Sequence, residues 1–501
     1  MPAVRLVGEI TSSETPLAPR ITQAGRIAFA TIGLAHADYH GYYRGFANGM
    51  LWPLLHSRVG LSEFRRIEFA AYLVVNTAFA KALVPLLRPD DTIWIHDYHL
   101  FPLGQALRDT GVRCPIGFFL HVPFPPSSLF ECLPQGDKLL RTLTAYDAVG
   151  VQVPDDAANL NALLDKLGIA VRAAAFPVGI DPDAFAKAAR RAETGPEVMR
   201  LTDSLAGRAL ILGVDRLDYT KGLPHRLRGF AQLLRRFPEH RKRVRFLQIA
   251  PVSRGDVSEY RTLRRELDEL VGTIDGEYAD FDWTPLRYLT RSVARGTLAG
   301  FHRHARVGLV TPLRDGMNLV AKEYVAAQRP EDPGALVLSR FAGAAQELKS
   351  AILVNPYDPD EIAEGLHLAL MMPLAERQER NERDGLAQHR CRVVEPISCR
   401  AGARCITFTR MRAAMRRCRG RSRAMRCARA SRGHRAQWFL DHGRSARVAC
   451  LPVCGQRDGA PAPPWETSAA WESVNRFAVP RDESGRRMGC PYSGYRTRLI
   501  V

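Results

Sequence analysis

From about residue 61 to residue 385 the sequence alternates between stretches with apolar residues every three or four positions and short apolar runs of strand length. That alternation confines the chain to an α/β fold. The strand-length runs are 92–97 (TIWIHD), 115–122 (PIGFFLHV), 148–153, 208–215 (RALILGVD), 244–251 (VRFLQIAP), 306–311, 335–339 and 351–354. Several are apolar at consecutive positions, as parallel strands covered by helices on both faces must be. Phe64, Ile67, Ala71, Val74, Ala78 and Ala82 fall at helical steps, which predicts a helix buried on that face and ending before Pro85.

The rhythm breaks around 182–206, where Pro182, Gly195 and Pro196 frame a charged helical stretch. A domain boundary is expected there, giving Rossmann-like domains over residues 1–203 and 204–385. Two such domains facing across a cleft would hold ligands at the carboxyl ends of their sheets.

Charge sets the remainder apart. The whole chain has 71 Lys plus Arg and 52 Asp plus Glu. Residues 386–501 hold 24 Arg, no Lys and 7 acidic residues, which leaves 47 basic and 45 acidic residues in 1–385. The high net charge therefore belongs to the tail. Only 17 of its 116 residues are Leu, Ile, Val or Phe, too few to bury a core, so a disordered tail is expected. Its Arg usage and scattered Cys read as an out-of-frame translation, or else as an arm binding nucleic-acid backbone without sequence preference. Eight of the 10 Cys lie in it without a CxxC pair, so zinc is poorly supported and the body is not a disulfide framework. The opening residues have no signal-peptide core, and no uninterrupted apolar run reaches about 18 residues. A cytoplasmic protein without a membrane partner is the expectation; homo-oligomerisation is left open.

Three strand-to-helix junctions carry the chemistry. In RVGLVTPLRDGMNLVAKEYVAAQ (306–328) a strand, an Asp-Gly turn and a helix succeed one another, so free N–H groups and a helix dipole point at whatever lies above, an anion being the natural guest. Asp315 can face the cleft while Glu323 reaches over the first helical turn, so one carboxylate could hold a sugar hydroxyl and the other a ribose diol, unless both merely complement the helix start. ILGVDRLDYTKGLPHRLRGFAQLLRRF (211–237) repeats the design with Arg216 and Lys221 before a helix opened by Pro224, a diphosphate clamp or else surface ion pairs. In APVSRGDVSEY (250–260), Arg254 offers a planar fork for a terminal phosphate and Asp256 a helix cap. Earlier, IWIHDYHL and GFFLHVPFP place Asp97 and His121 at strand ends, while Tyr43 and Trp52 in GYYRGFANGMLWPLL suit a sugar ring or a core.

Taken in order, YYRGFANGMLWPLLH, IWIHDYHL, FFLHVPFP, VDRLDYTKG, PVSRGDV, TPLRDGMNLVAKEYVAA and LSRFAGAAQEL closely resemble the trehalose-6-phosphate synthase family over roughly residues 20–383. The resemblance implies the GT-B architecture and retaining transfer of glucose from UDP-glucose to glucose 6-phosphate, with neither metal nor cofactor. By motif it implies Arg216 and Lys221 on the donor diphosphate with backbone groups of Asn318 and Leu319. Asp315, Gly316 and Met317 would touch the transferred glucose, Glu323 the ribose, and His121 the donor glucose. Asp97 would line the sugar site. Tyr43, Trp52 and Arg254 would bind glucose 6-phosphate, Arg254 at its phosphate. His121, Arg216, Lys221 and Asp315 are the expected catalytic set.

Two departures from the family are expected: its opening strand with an Arg and a glycine-rich loop is not found before residue 1, and its closing helix is replaced after residue 385. Both would lower stability and activity. The alternatives are a related synthase using another phosphorylated acceptor, such as glycerol 3-phosphate, and an inactive remnant with a nucleic-acid-binding tail.

Overall fold

The computed structural model describes residues 3–11, 19–24, 27–89, 91–252 and 258–390. The described residues divide at Phe176/Pro177 into two compact units.

The first unit opens with strands β1 (Ala3–Thr11), β2 (Arg20–Ala24) and β3 (Ile27–Ala35), in which β3 lies parallel to β1 and antiparallel to β2. A π-helical segment, His40–Leu51, leads to helix α1 (Arg66–Leu83). A four-stranded parallel sheet follows, in the order β4 (Ile93–His96), β5 (Ile116–Phe119), β6 (Ala148–Val151) and β7 (Ala173–Ala175), with helices α2 (Leu103–Asp109) and α3 (Pro154–Lys166) among its connections. β4, β5 and β6 are buried at every position, the signature read from their consecutive apolar residues.

Helix α1 lies where the spacing placed it, but its buried face is another. Phe69, Tyr72, Val75, Asn76, Phe79 and Leu83 face inward, whereas Ile67 and Val74 are exposed. The helix is apolar nearly all round, so periodicity offered two stripes, and the one carrying the large aromatic rings packs. Tyr72 rests on Tyr42 and Phe46, and Asn76 is admitted to the core by donating to the Tyr72 and His99 carbonyls. The stretch Arg66–Leu86 is long and apolar enough to cross a membrane by length and composition; in this fold one side of it is core.

The second unit contains helices α4 (Pro182–Ala192) and α5 (Pro196–Leu205), then strand β8 (Ala209–Val214), helix α6 (Leu223–Arg236), strand β9 (Val244–Ile249), helix α7 (Ser258–Tyr278), strand β10 (Leu286–Leu289), helix α8 (Arg295–His304), strand β11 (Val307–Val310), helix α9 (Leu319–Ala327), strand β12 (Ala335–Ser339), strand β13 (Ile352–Val354) and helices α10 (Pro359–Met371) and α11 (Leu374–Arg390). Its strands form one parallel sheet in the order β10-β9-β8-β11-β12-β13. Counted along this unit, that is 3-2-1-4-5-6, the doubly wound Rossmann order. Ile211, Phe246, Val307 and Val337 from the sheet meet Leu227, Phe230, Ile362 and Leu366 from α6 and α10 in its core. These two helices cross closely at Gly229, where a Cβ would stand 2.4 Å from Ile362 Cγ2.

The division between units therefore falls earlier than the expected 203/204. The proline-framed stretch is the second unit's own outer layer: α4 and α5 pack on α8, and a Cβ at Gly300 would meet Val198 Cγ2 at 2.5 Å. Proline at the first turn starts both helices, so the residues that looked like a linker are helix openers. At the far end α11 passes residue 386 and runs to Arg390, so the first residues assigned to the tail are helical; the rest of the tail lies outside the described residues.

Candidate active site

In a doubly wound sheet, ligands gather at the carboxyl ends of the two strands where the strand order reverses. Here those strands are β8 and β11, and the loops leaving them are the two that carry the candidate cations and the Asp-Gly turn. The loops touch. Gly222 stands at φ +66° with its Cα so near the other loop that a Cβ would lie 2.5 Å from the Thr311 carbonyl oxygen, and Leu313 N–H donates to the Thr220 carbonyl at 2.8 Å. The turn before Gly222 is shaped by Asp218, whose carboxylate accepts from Thr220 N–H and Oγ1 at 2.9 Å and from the Tyr260 hydroxyl at 3.0 Å.

This contact brings Lys221 and Asp315, 94 residues apart in sequence, together: Lys221 Nζ donates to Asp315 Oδ2 at 2.5 Å, with 14% and 15% of the two side chains exposed. Burial alone would lower the Lys221 ammonium, but Asp315 and Asp215 outweigh it, and its pKa stands above the ordinary value with Arg216 opposing. Arg216 is exposed at the end of β8 and near enough for its charge to reach Lys221.

Beneath lies a buried support that the sequence did not disclose. Arg226, from the first turns of α6, donates to Asp215 Oδ2 at 2.8 Å, to Thr311 Oγ1 at 3.0 Å and to Gln248 Oε1 at 3.0 Å. Its side chain and that of Asp215 are 0% and 3% exposed. Burial raises the Asp215 carboxyl pKa in spite of Arg226 and Lys221. One guanidinium thus ties β8, β9 and the loop after β11 into a fixed floor.

The Asp-Gly turn is held by a third segment. Asp315 N–H donates to the Phe341 carbonyl at 3.2 Å, while Gly343 and Ala344 N–H groups donate to the Asp315 and Met317 carbonyls at 3.1 and 2.7 Å. Gly316 and Met317 are buried inside this clamp. Asn318 follows at φ 73°, its Oδ1 capping Ala321 N–H at 3.3 Å and its Nδ2 donating to Asp315 at 3.1 Å. The opening N–H groups of α9, from Leu319 onward, precede any intrahelical acceptor, so this end of the helix suits an anion. Glu323, one turn along, is joined to Arg295 at 3.0 Å, and burial raises its pKa against that partner. Lys322 points the other way, into a buried pair with Glu347 at 2.9 Å and onto the Val178 carbonyl at 2.8 Å.

In the first unit the candidates cluster after β4 and β5, which are neighbours in register. Asp97 adopts φ 71° and accepts from His121 N–H at 3.3 Å. The His121 ring is stacked on His96, with His96 Nδ1 and His121 Nε2 2.6 Å apart, and burial pushes its pKa down to about 4. His121 is therefore a neutral ring at neutral pH, its tautomer coupled to His96. Tyr43 stacks between Tyr39 and His99 at 5.3 and 5.4 Å, whereas Trp52 is buried against His56 and Tyr98 and is more core than surface. Arg254 and Asp256 lie outside the described residues.

Residues 8–387 match glycosyltransferase family 20. The chain belongs to that family. Among curated relatives, the trehalose-6-phosphate synthase of Sinorhizobium fredii is 46% identical over 387 residues, 74% of this chain and 83% of the relative. That of Klebsiella pneumoniae is 46% identical over 391 residues, covering 75% and 81%. Among solved structures, the alpha,alpha-trehalose-phosphate synthase (UDP-forming) of Burkholderia xenovorans in complex with glucose-6-phosphate is similar at a TM-score of 0.76 and 42% identity, over 78% of this chain and 97% of that one. The E. coli trehalose-6-phosphate structure bound with UDP-2-fluoro glucose is similar at a TM-score of 0.74 and 44% identity, over 78% and 89%. The two α/β units with parallel sheets are those of the GT-B glycosyltransferases in this family.

Of the residues expected from the sequence of this family-20 chain, Lys221, Asp315 and Asn318 come together in the second unit with Glu323 one turn along α9, and Asp97 and His121 come together in the first. Sequence reasoning missed Asp215, Arg226, His96, Arg295 and the 341–344 clamp. LSRFAGAAQEL was recognisable as a motif, but nothing in it announces that its backbone grips another loop.

Proposed function

We propose that this chain transfers glucose from UDP-glucose to glucose 6-phosphate with retention, forming trehalose 6-phosphate and UDP. The observation that carries this reading is the meeting of Lys221, Asp315 and the start of α9 at the reversal of strand order, in a family-20 chain whose structural relatives hold glucose-6-phosphate in one case and UDP-2-fluoro glucose in another. Lys221, Arg216 and the N–H groups of Asn318 and Leu319 take the diphosphate. Asp315, with the Gly316–Met317 backbone, takes the glucose hydroxyls and Glu323 the ribose. In the first unit, neutral His121 donates to or accepts from the donor sugar, Asp97 lines the sugar site and Tyr43 serves the acceptor, with the buried Trp52 backing that surface from the core; from the second unit Arg254 serves the acceptor at its phosphate. Both substrates carry phosphate charge and do not cross a bilayer unaided, which puts the reaction in the cytoplasm.

Chemically, the bond from the anomeric carbon to the diphosphate breaks as the bond to the acceptor hydroxyl forms on the same face, and the hydroxyl proton passes to a diphosphate oxygen. Negative charge grows on the leaving group, so a fixed cation there lowers the barrier. Lys221 is held charged by Asp315 and Asp215 and needs no proton transfer to act, so in this reading side-chain cations meet the charge and no metal is called on. Asp315 already accepts from Lys221 and Asn318, which blunts it as a nucleophile and favours direct same-face substitution.

The test is UDP release from UDP-glucose with an acceptor panel of glucose 6-phosphate, glucose and glycerol 3-phosphate. Glucose 6-phosphate should be used with the α,α-linked phosphodisaccharide as product, and Lys221→Met should cut kcat by about 10²–10³. Preference for glycerol 3-phosphate, or a Lys221→Met enzyme of ordinary kcat, would overturn the reading.

A further inference from the structure

A second cluster of chemistry-bearing side chains lies at the other end of α6. Lys221 precedes that helix, and Glu239 and His240 follow it; with a rise of about 1.5 Å per residue over its 14 residues, the two ends stand about 20 Å apart. His240 Nε2 and His367 Nδ1, the latter from α10, are 2.9 Å apart, and Glu239 Oε1 is 3.6 Å from the same His367 nitrogen. His240 is buried, His367 is half-buried and Glu239 is exposed, so the group opens to solvent on one side. Phe237 stacks flat on His367 at 4.0 Å with 14° between planes, fixing the ring's orientation.

As a hydrogen-bonded cluster this arrangement is underprovided with protons. His367 Nδ1 faces an imidazole nitrogen and a carboxylate oxygen at once, and a neutral ring has at most one proton there to share. The neighbouring Arg236 is neutralised by Glu364 at 2.7 Å and Asp360 at 3.2 Å. The C-terminal end of α6 adds partial negative charge. Two imidazoles and one carboxylate, with all three donor atoms within 4.8 Å of one another, match the donor set and number of a tetrahedral zinc site that leaves one position open. Ligand atoms about 2.0–2.1 Å from zinc stand about 3.3 Å apart, so the pair now at 2.9 Å needs to open only by tenths of an ångström.

We propose that Glu239, His240 and His367 form a binding site for a divalent transition metal ion of the zinc class, clasping the segment after α6 to the last turns of α10 and separate from the sugar-transfer site. On binding, the proton between the rings moves to the outer nitrogen of its own ring, so neutral rings release none.

The experiment uses the full chain with accessible thiols alkylated, so that tail cysteines cannot compete. Zinc titration followed by calorimetry should show one equivalent bound, a rise in Tm, and protection of His367 from diethylpyrocarbonate by peptide mass spectrometry. In His367→Ala that equivalent and the Tm rise should be lost while transferase activity without added zinc is unchanged. Should His367→Ala fail to fold, Glu239→Gln, at an exposed position, is the second variant; it should keep the fold by circular dichroism and bind zinc more weakly. Unprotected His367 at saturating zinc, or binding equal to wild type in the variants, would show a proton-sharing cluster and overturn the proposal.

Discussion

Replacing Arg226 by Met is the most demanding test of how the site is supported. The guanidinium is fully buried and its partners are the Asp215 carboxylate, Gln248 Oε1 and Thr311 Oγ1 at 2.8–3.0 Å. Methionine fills much of the volume but leaves a carboxylate without its counter-ion in the interior. Removing one member of such a pair costs about 3–5 kcal/mol. Taking away the stranded charge as well, with Asp215→Asn, should return about 1–3 kcal/mol, because an unpaired buried charge costs more than an unpaired amide. The pH dependence fixes the cause. Burial already raises the Asp215 pKa in the wild type, and without Arg226 it must rise further. A carboxyl whose folded pKa lies above its unfolded value of about 3.9 lends its full stability below that value and loses it as pH rises through the folded pKa. Arg226→Met should therefore show its smallest deficit near pH 4 and a growing one toward pH 8, while Asp215→Asn/Arg226→Met should show no such slope. Urea unfolding followed by fluorescence and circular dichroism across that range measures both. A single variant losing under about 1 kcal/mol at pH 8, or a double variant as weak as the single, would refute the reasoning.

Acid should act through the buried histidines. Burial drives the pKa values of His121 and His302 down to about 4; each adds stability above the unfolded value of about 6.5, lost as pH falls from there to about 4, at up to ~1.4 kcal/mol per pH unit. His302→Gln should flatten part of that slope in pH-dependent unfolding, and an unchanged slope would discount the residue. Gly229→Ala puts a methyl group 2.4 Å from Ile362 Cγ2 and should destabilise by about 1–3 kcal/mol. Ile362→Ala, which removes that Cγ2, should cost less in the Gly229→Ala background than in the wild type by urea unfolding; an equal cost would place the strain elsewhere.

The strands and junctions of this protein were legible because their cause is local. A run such as RALILGVD is apolar at successive positions for one reason, burial on both faces, and β8 forms there. Lys221 and Asp315 were legible for a related reason: each follows a strand and precedes a helix, and the fold gives such positions to ligands. What was hidden depends on pairing across the sheet. Nothing in LPHRLRGF distinguishes Arg226, which is buried, from Arg228, which meets Glu266 at the surface, until β8 and β11 are known to be neighbours. His96 and His121 likewise become a pair only through the β4–β5 register. Helix α1 shows the converse failure: its pattern was so apolar that spacing alone could not choose the inward side, and ring size did. The division at Phe176/Pro177 differs from the expected boundary because proline-rich spacing marks helix starts as readily as it marks linkers.

The grip of residues 341–344 on the Asp-Gly turn has an evolutionary corollary. Because Asp315 and Met317 draw three backbone hydrogen bonds from that neighbouring loop, neither loop is free to change length without unseating the other. Descendants that switch to a bulkier or smaller donor sugar should carry paired changes in both loops, and a library that diversifies only one of them should yield mostly misfolded or silent clones.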